Sequence, residues 1–120
     1  MSYNIQIFRI ETKEREQKLK SEDFFENDEN LVPFTDQQFQ ELKERLLQYG
    51  YHLTKEDEYG LHFNHEDEDY GMVLLTSHGL YFSAGWNHNS IFEIGMIASE
   101  FTDSGEFAKY DPQNGEWEEV

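Results

Sequence analysis

Cysteine is absent from the sequence, which removes disulfides and thiolate metal sites from consideration. No apolar run approaches the roughly 18 residues of a membrane span. Met1-Ser-Tyr-Asn-Ile-Gln6 lacks a basic segment leading into an apolar one, so no secretory signal is expected and the default location is the cytoplasm. There is no glycine-rich phosphate loop and no Gly-x-Ser-x-Gly elbow. The scarcest feature is positive charge: 9 Lys and Arg stand against 26 Asp and Glu, a formal net charge of −17.

That deficit is uneven. Residues 1–20 hold five bases (Arg9, Lys13, Arg15, Lys18, Lys20) and three acids, a net of +2, so the remaining hundred hold four bases and 23 acids, a net of −19. Direct binding to DNA, RNA or anionic lipid is disfavoured, because phosphate contacts need Lys and Arg. A basic partner is favoured instead, since a field of this sign attracts it and speeds encounter.

What the chain does have is aromatic side chains, 16% of its 120 residues. Ten Phe, seven Tyr and two Trp supply much buried area per residue, enough for one folded domain of this length. Tyr3–Ile10 alternates like a strand, with Tyr3, Ile5 and Ile7 on one face. Glu11–Lys20 is mixed-charge, either a solvated helix or a loop, with only Leu19 to pack. Ser21–Asn30 reads as a loop or single turn pinned by Phe24 and Phe25.

Thr35 with Gln38 forms a capping box, and Phe34 is placed to staple onto Phe39. Phe39, Leu42 and Leu46 follow at helical spacing and Gly50 offers a left-handed terminator, so a helix from about Asp36 to Gln48 is predicted. Strands are predicted at Tyr51–Thr54, Tyr59–Asn64, Met72–Leu75 (buried on both faces) and Leu80–Ala84. Ser90 with Glu93 repeats the capping box before Ile91, Ile94, Ile97 and Phe101, a second helix weakened by Gly95 and ended by Gly105. Phe107–Tyr110 leads a last strand, behind which Glu116–Val120 can pair. The order predicts an α+β fold: a mainly antiparallel sheet with two principal helices on one face, in a single domain over residues 1–120.

Catalytic and metal chemistry find little footing. His62 and His65 have HxxH spacing beside Glu66, but zinc needs two further ligands on a rigid frame. His65–Gly71 gives consecutive acids and a late glycine, which fails the calcium-loop pattern. Ser77 beside His78 is adjacency in a turn. Paired acids for glycoside hydrolysis occur in any acidic domain. No catalytic residue, metal ligand or cofactor is assigned, and an enzyme is not the expectation.

The carboxylates themselves remain. Seven lie between Glu56 and Asp69 with no Lys or Arg among them. Duplex DNA displays about one negative charge per 1.7 Å of axis, and acids held on a stiff scaffold can occupy the cationic surface that would bind it. Loose acids do this poorly, because ordering them costs rotamer entropy. The candidate contact residues are Glu26, Asp28, Glu29, Asp57, Glu58, Glu66, Asp67, Glu68, Asp69, Asp103 and Glu106.

A short cysteine-free domain carrying Glu22–Glu29, Glu56–Asp69 and Glu116–Glu119 resembles the small bacterial DNA-mimic proteins, in particular the kind that binds the histone-like protein HU. The resemblance implies a monomeric α/β protein that docks on HU and modulates its DNA binding. The basic start, Arg9 to Lys20, departs from a uniformly acidic surface. The alternative is an immunity protein that inhibits a basic nuclease toxin. It would use the same physics, with aromatic anchors such as Tyr59, Tyr70 or Trp86.

Overall fold

Ile5, Ile7 and Phe8 set the plan of the molecule. All three are buried in the first strand, β1 (Ser2–Arg9), yet Phe8 points away from the two isoleucines because side chains alternate along a strand. A core therefore forms on each side of the sheet. The structure, a computed structural model, describes residues 2–20, 24–103 and 105–118 (for Ser2, Asp28 and Glu68 the backbone only).

After β1 come α1 (Ile10–Leu19), two single 3-10 turns (Phe24–Glu26 and Asp28–Asn30), α2 (Asp36–Gln48), β2 (Tyr51–Asp57) and β3 (Gly60–His65). A third 3-10 turn (Glu68–Tyr70) precedes β4 (Met72–Leu75), β5 (Leu80–Gly85), α3 (His88–Glu100), β6 (Phe107–Asp111) and β7 (Glu116–Glu118). The strands form one sheet in the order β2-β3-β4-β5-β1-β6-β7, each neighbouring pair antiparallel. This is the expected α+β architecture. Leu42 and Leu46 of α2 and Ile94, Ile97 and Phe101 of α3 join Ile5, Ile7, Phe63, Val73 and Phe82 in the larger core, so both principal helices cover one side. On the other side Phe8, Phe24 and Leu31 gather Phe25, Tyr81, Tyr110 and Trp117.

Helix α2 keeps the boundaries that its sequence predicts. Thr35 Oγ1 accepts the Gln38 N–H at 3.1 Å, and Gln38 Oε1 accepts the Thr35 N–H at 2.9 Å, so both halves of the capping box are made. Helix α3 differs at its start. Its cap is Asn87, whose Oδ1 accepts the Ser90 N–H at 2.9 Å. Glu93 is therefore not the partner of a capping box, and its carboxylate accepts the Tyr70 hydroxyl at 3.1 Å. The helix ends at Glu100, before Gly105.

The mixed-charge segment after β1 resolves as a helix, and Leu19 is not its anchor. Leu19 is 54% exposed, whereas Thr12 is buried and its Oγ1 accepts the Val32 N–H at 2.9 Å. Arg15 donates to the carbonyls of Glu29 and Asn30, and Trp117 Nε1–H donates to Glu16 at 2.9 Å. A polar helix is held here by hydrogen bonds where an apolar stripe is lacking.

Strand β4 is not buried on both faces. Val73 and Leu75 enter the larger core, but Met72 is 57% exposed and Leu74 only half-buried. The second core lies over β1, β6 and β7, reaches Tyr81 of β5, and leaves that side of β3 and β4 open. Tyr49, Phe39 and Tyr70 complete the packing around the larger core.

Candidate partner-binding surface

Antiparallel pairing decides where the acids go. β1, β2, β4 and β7 run one way and β3, β5 and β6 the other. Asp57 and Glu58 therefore sit at the end of the sheet where β1 finishes, in the β2–β3 turn. Glu66, Asp67 and Asp69 sit at the opposite end, in the β3–β4 connection. Strand β3 keeps the two groups roughly 17–20 Å apart. They form two anionic ends of one hairpin, not one patch.

Each end is braced by backbone. At the first, Asp57 Oδ1 accepts the N–H groups of Tyr59 (3.0 Å) and Gly60 (3.3 Å), while Oδ2 lies 3.0 Å from His62 Nε2 and 3.4 Å from Lys55 Nζ. Burial works against ionised Asp57, but the hydrogen bonds from His62, the Tyr59 N–H and Lys55, with the nearby His62, outweigh it and hold its pKa below the ordinary value. Gly60 closes this turn at φ 145°, and a Cβ there would meet the Leu75 carbonyl oxygen at 2.2 Å. Only glycine fits.

At the second end His65 is the brace. Its Nδ1 accepts the Asp67 N–H at 2.9 Å, so Nε2 carries the proton that it donates to the Tyr49 carbonyl, also at 2.9 Å. The ring stacks on Tyr70 with 4.3 Å between centroids and meets Tyr51 edge-on. Asp67 in turn caps the 3-10 turn, its Oδ1 accepting the Asp69 N–H at 3.0 Å. Tyr51 is fully buried and its hydroxyl donates to the Tyr70 carbonyl at 2.7 Å. Burial drives the Tyr51 pKa up. The hydrogen bond to Glu93 and then burial raise that of Tyr70, with Asp67 and Asp69 adding to the effect. Gly71, at φ 63°, completes the connection where a Cβ would stand 2.2 Å from the Ser83 carbonyl oxygen.

The other predicted contact residues fall elsewhere. Asp103 and Glu106 lie between α3 and β6, against α2: Arg45 reaches Asp103 at 3.4 Å, and Gln38 Nε2 donates to Glu106 at 3.4 Å. Glu26 and Glu29 lie beside α1, on the side of the sheet where Phe25 packs on Tyr110 and Trp117. From β3 to β6 is four strand spacings, roughly 19 Å. These two glutamates thus accompany the basic helix, not the acidic hairpin. The side chains of Asp28 and Glu68, and Glu22, Asp23 and Glu119, lie outside the described residues.

Sequence reasoning missed Glu93, which joins the Glu66–Asp69 end through Tyr70. It also missed Glu41 and Glu44, exposed on α2 beneath the edge strand β2. The outward phase of the α2 helix was the available signal for those two. Among the three aromatic anchors, Tyr59 stands 67% exposed beside Glu58, Trp86 is half-exposed against Tyr3, and Tyr70 is consumed by His65 and Glu93.

The cations of residues 21–120 are largely spent internally. Lys109 is buried, its Nζ 2.6 Å from Glu118 and donating to the Gly95 carbonyl and Ser99 Oγ at 3.2 Å each. Arg45 is held by Asp103, by the Glu100 carbonyl and over the Phe101 ring. Lys55 is paired with Asp57. Three of the four Lys and Arg of residues 21–120 thus have carboxylate partners, and little positive charge offsets the acids exposed among the described residues.

Among the described residues no group of three or more His, Asp and Glu is placed to hold a metal ion, and no helix is long and apolar enough to cross a membrane. Fold and surface together define the class: an antiparallel-sheet α+β domain with an anionic exterior. Compared with known proteins, the chain matches no family model, no curated protein and no solved structure.

Proposed function

We propose that this protein is an acidic interaction module that occupies the cationic surface of a basic nucleic-acid-binding protein, as a DNA mimic does, with HU-like proteins as the partner class and the cytoplasm as its place. One observation carries the reading: three of the four Lys and Arg after residue 20 (Arg45, Lys55 and Lys109) are each paired with a carboxylate of the chain, which leaves little positive charge to relieve the many exposed acids of residues 24–118. The ends of the β2–β3 hairpin support it further: Asp57 and Asp67 are held by backbone N–H groups and lose little rotamer freedom on docking, and their turns fix where Glu58 and Glu66 emerge.

Competition tests this. Added protein should release fluorescein-labelled duplex DNA from purified HU at low salt, and the effect should fade steeply as salt rises. Undiminished DNA binding at every salt concentration would sink the proposal.

The exposed ring of Tyr59, beside Glu58, favours a second reading, an immunity protein for a basic nuclease toxin. Its binding would be tight, restricted to one toxin and weakened strongly by Tyr59→Ala.

A further inference from the structure

Helix α3 carries apolar side chains where a surface helix is usually polar. Phe92 and Met96, one turn apart, are 58% and 49% exposed. With Gly95 and Ser99 they line an open groove of about 530 Å³. Lys109 lies in its floor, its charge already met by Glu118 and two α3 oxygens.

The groove ends in carboxylates. Glu100 and Asp103 are exposed at its rim, and α3 itself contains no Lys or Arg. Arg45 pairs with Asp103 and donates to the Glu100 carbonyl, and the Tyr49 hydroxyl donates to the Glu100 carboxylate, so each rim acid has one partner within the chain and further acceptor capacity toward solvent. An apolar strip rimmed by acids matches a segment with the inverse pattern. Methionine suits such a surface, since its unbranched side chain adapts to what it meets. A second copy of this chain fits poorly, because each copy brings a net −17 to the contact.

We propose that this groove receives a cationic amphipathic helix of the basic partner. Phe92 and Met96 take its apolar side chains, and Glu100 and Asp103 meet its Lys and Arg. This rests on the reading of the protein as a binder of basic proteins. It adds an apolar anchor on α3 to the anionic hairpin.

Two fluorescein-labelled 15-residue peptides separate the ideas by anisotropy: one with Leu at positions 2, 6, 9 and 13 and Lys elsewhere, the other with Ser replacing each Leu. The Leu/Lys peptide should bind about tenfold tighter or better, the increment from burying two or three apolar side chains. Phe92→Ser with Met96→Ser should erase that increment while leaving the Lys/Ser affinity and the thermal midpoint in place. Met96→Lys, which opposes the charge of both peptides, should weaken both and the Leu/Lys peptide more, with the core untouched. Equal binding of both peptides to the unaltered protein overturns the groove but leaves the basic-partner reading standing. Binding of neither peptide at low salt overturns both. A dimer in sedimentation that Phe92→Ser with Met96→Ser abolishes overturns the groove's assignment in favour of a second copy.

Discussion

The imidazole of His65 accepts the backbone N–H of Asp67 at 2.9 Å, so a ring at the end of β3 aims the start of an acidic turn. The same ring donates to the Tyr49 carbonyl at the end of α2. Helix, strand and acidic turn thus share one side chain. His65→Ala should cost about 1 kcal/mol, the net worth of hydrogen bonds whose freed partners can turn to water. It should also speed hydrogen exchange at the Asp67 amide and weaken partner binding. An unchanged exchange rate at Asp67 would show that the ring is not the brace.

Glu58 is exposed at one end of the hairpin, and at the other Glu66 has an 88% exposed side chain whose Oε1 lies 3.7 Å from His52 Nε2. Glu58→Lys with Glu66→Lys should weaken partner binding at least severalfold. The thermal midpoint should stay level or rise, because like-charge crowding is relieved. Added salt should likewise raise the midpoint of the unaltered protein. Full affinity in the doubly reversed protein would remove the hairpin from the binding face.

Asp57 belongs to a different category, since its carboxylate holds the turn. Its folded pKa is depressed, so its stabilising contribution is complete above the unfolded value of about 3.9 and is lost as pH falls through the lower folded value. Asp57→Asn should therefore flatten the dependence of the thermal midpoint on pH below about 4 and lower the midpoint at neutral pH. Parallel acid profiles for the two proteins would contradict this assignment. Reversing the charge of Asp57 or Asp67 is expected to damage folding, so neither is a clean probe of binding.

Leu42 and Leu74 distinguish the covered side of the sheet from the open one. Leu42 is 1% exposed in the larger core, and Leu42→Ala should cost about 2–5 kcal/mol. Leu74 faces the uncovered side beside Tyr81, and Leu74→Ala should cost about 1 kcal/mol or less. Urea titrations of both variants measure this, and equal losses would mean that a cover lies over β4 in solution.

Helix α2 was readable residue by residue because Thr35, Gln38, Phe34 and Phe39 act over three to five positions, and capping is a local affair. The strands were readable where apolar and polar residues alternate, as in β1, β3 and β5. The mixed-charge helix α1 was not, because its hold on the fold is Thr12 meeting Val32 and Glu16 meeting Trp117, partners 20 and 101 residues distant. Strand β4 misled for a related reason. Its run of apolar residues does not say which side the rest of the chain will cover.

By itself the sequence determined the sign and size of the charge, the α+β class and the local signals of each main element, since all of these are sums or short-range patterns. Tertiary structure alone decided which charges reach solvent. Strand reversal put Asp57 and Asp67, ten positions apart, at opposite ends of the sheet. Cross-strand register placed Glu118 beside Lys109 and buried that cation. Both outcomes depend on pairings between distant segments, and electrostatic fields follow position in space, not position along the chain.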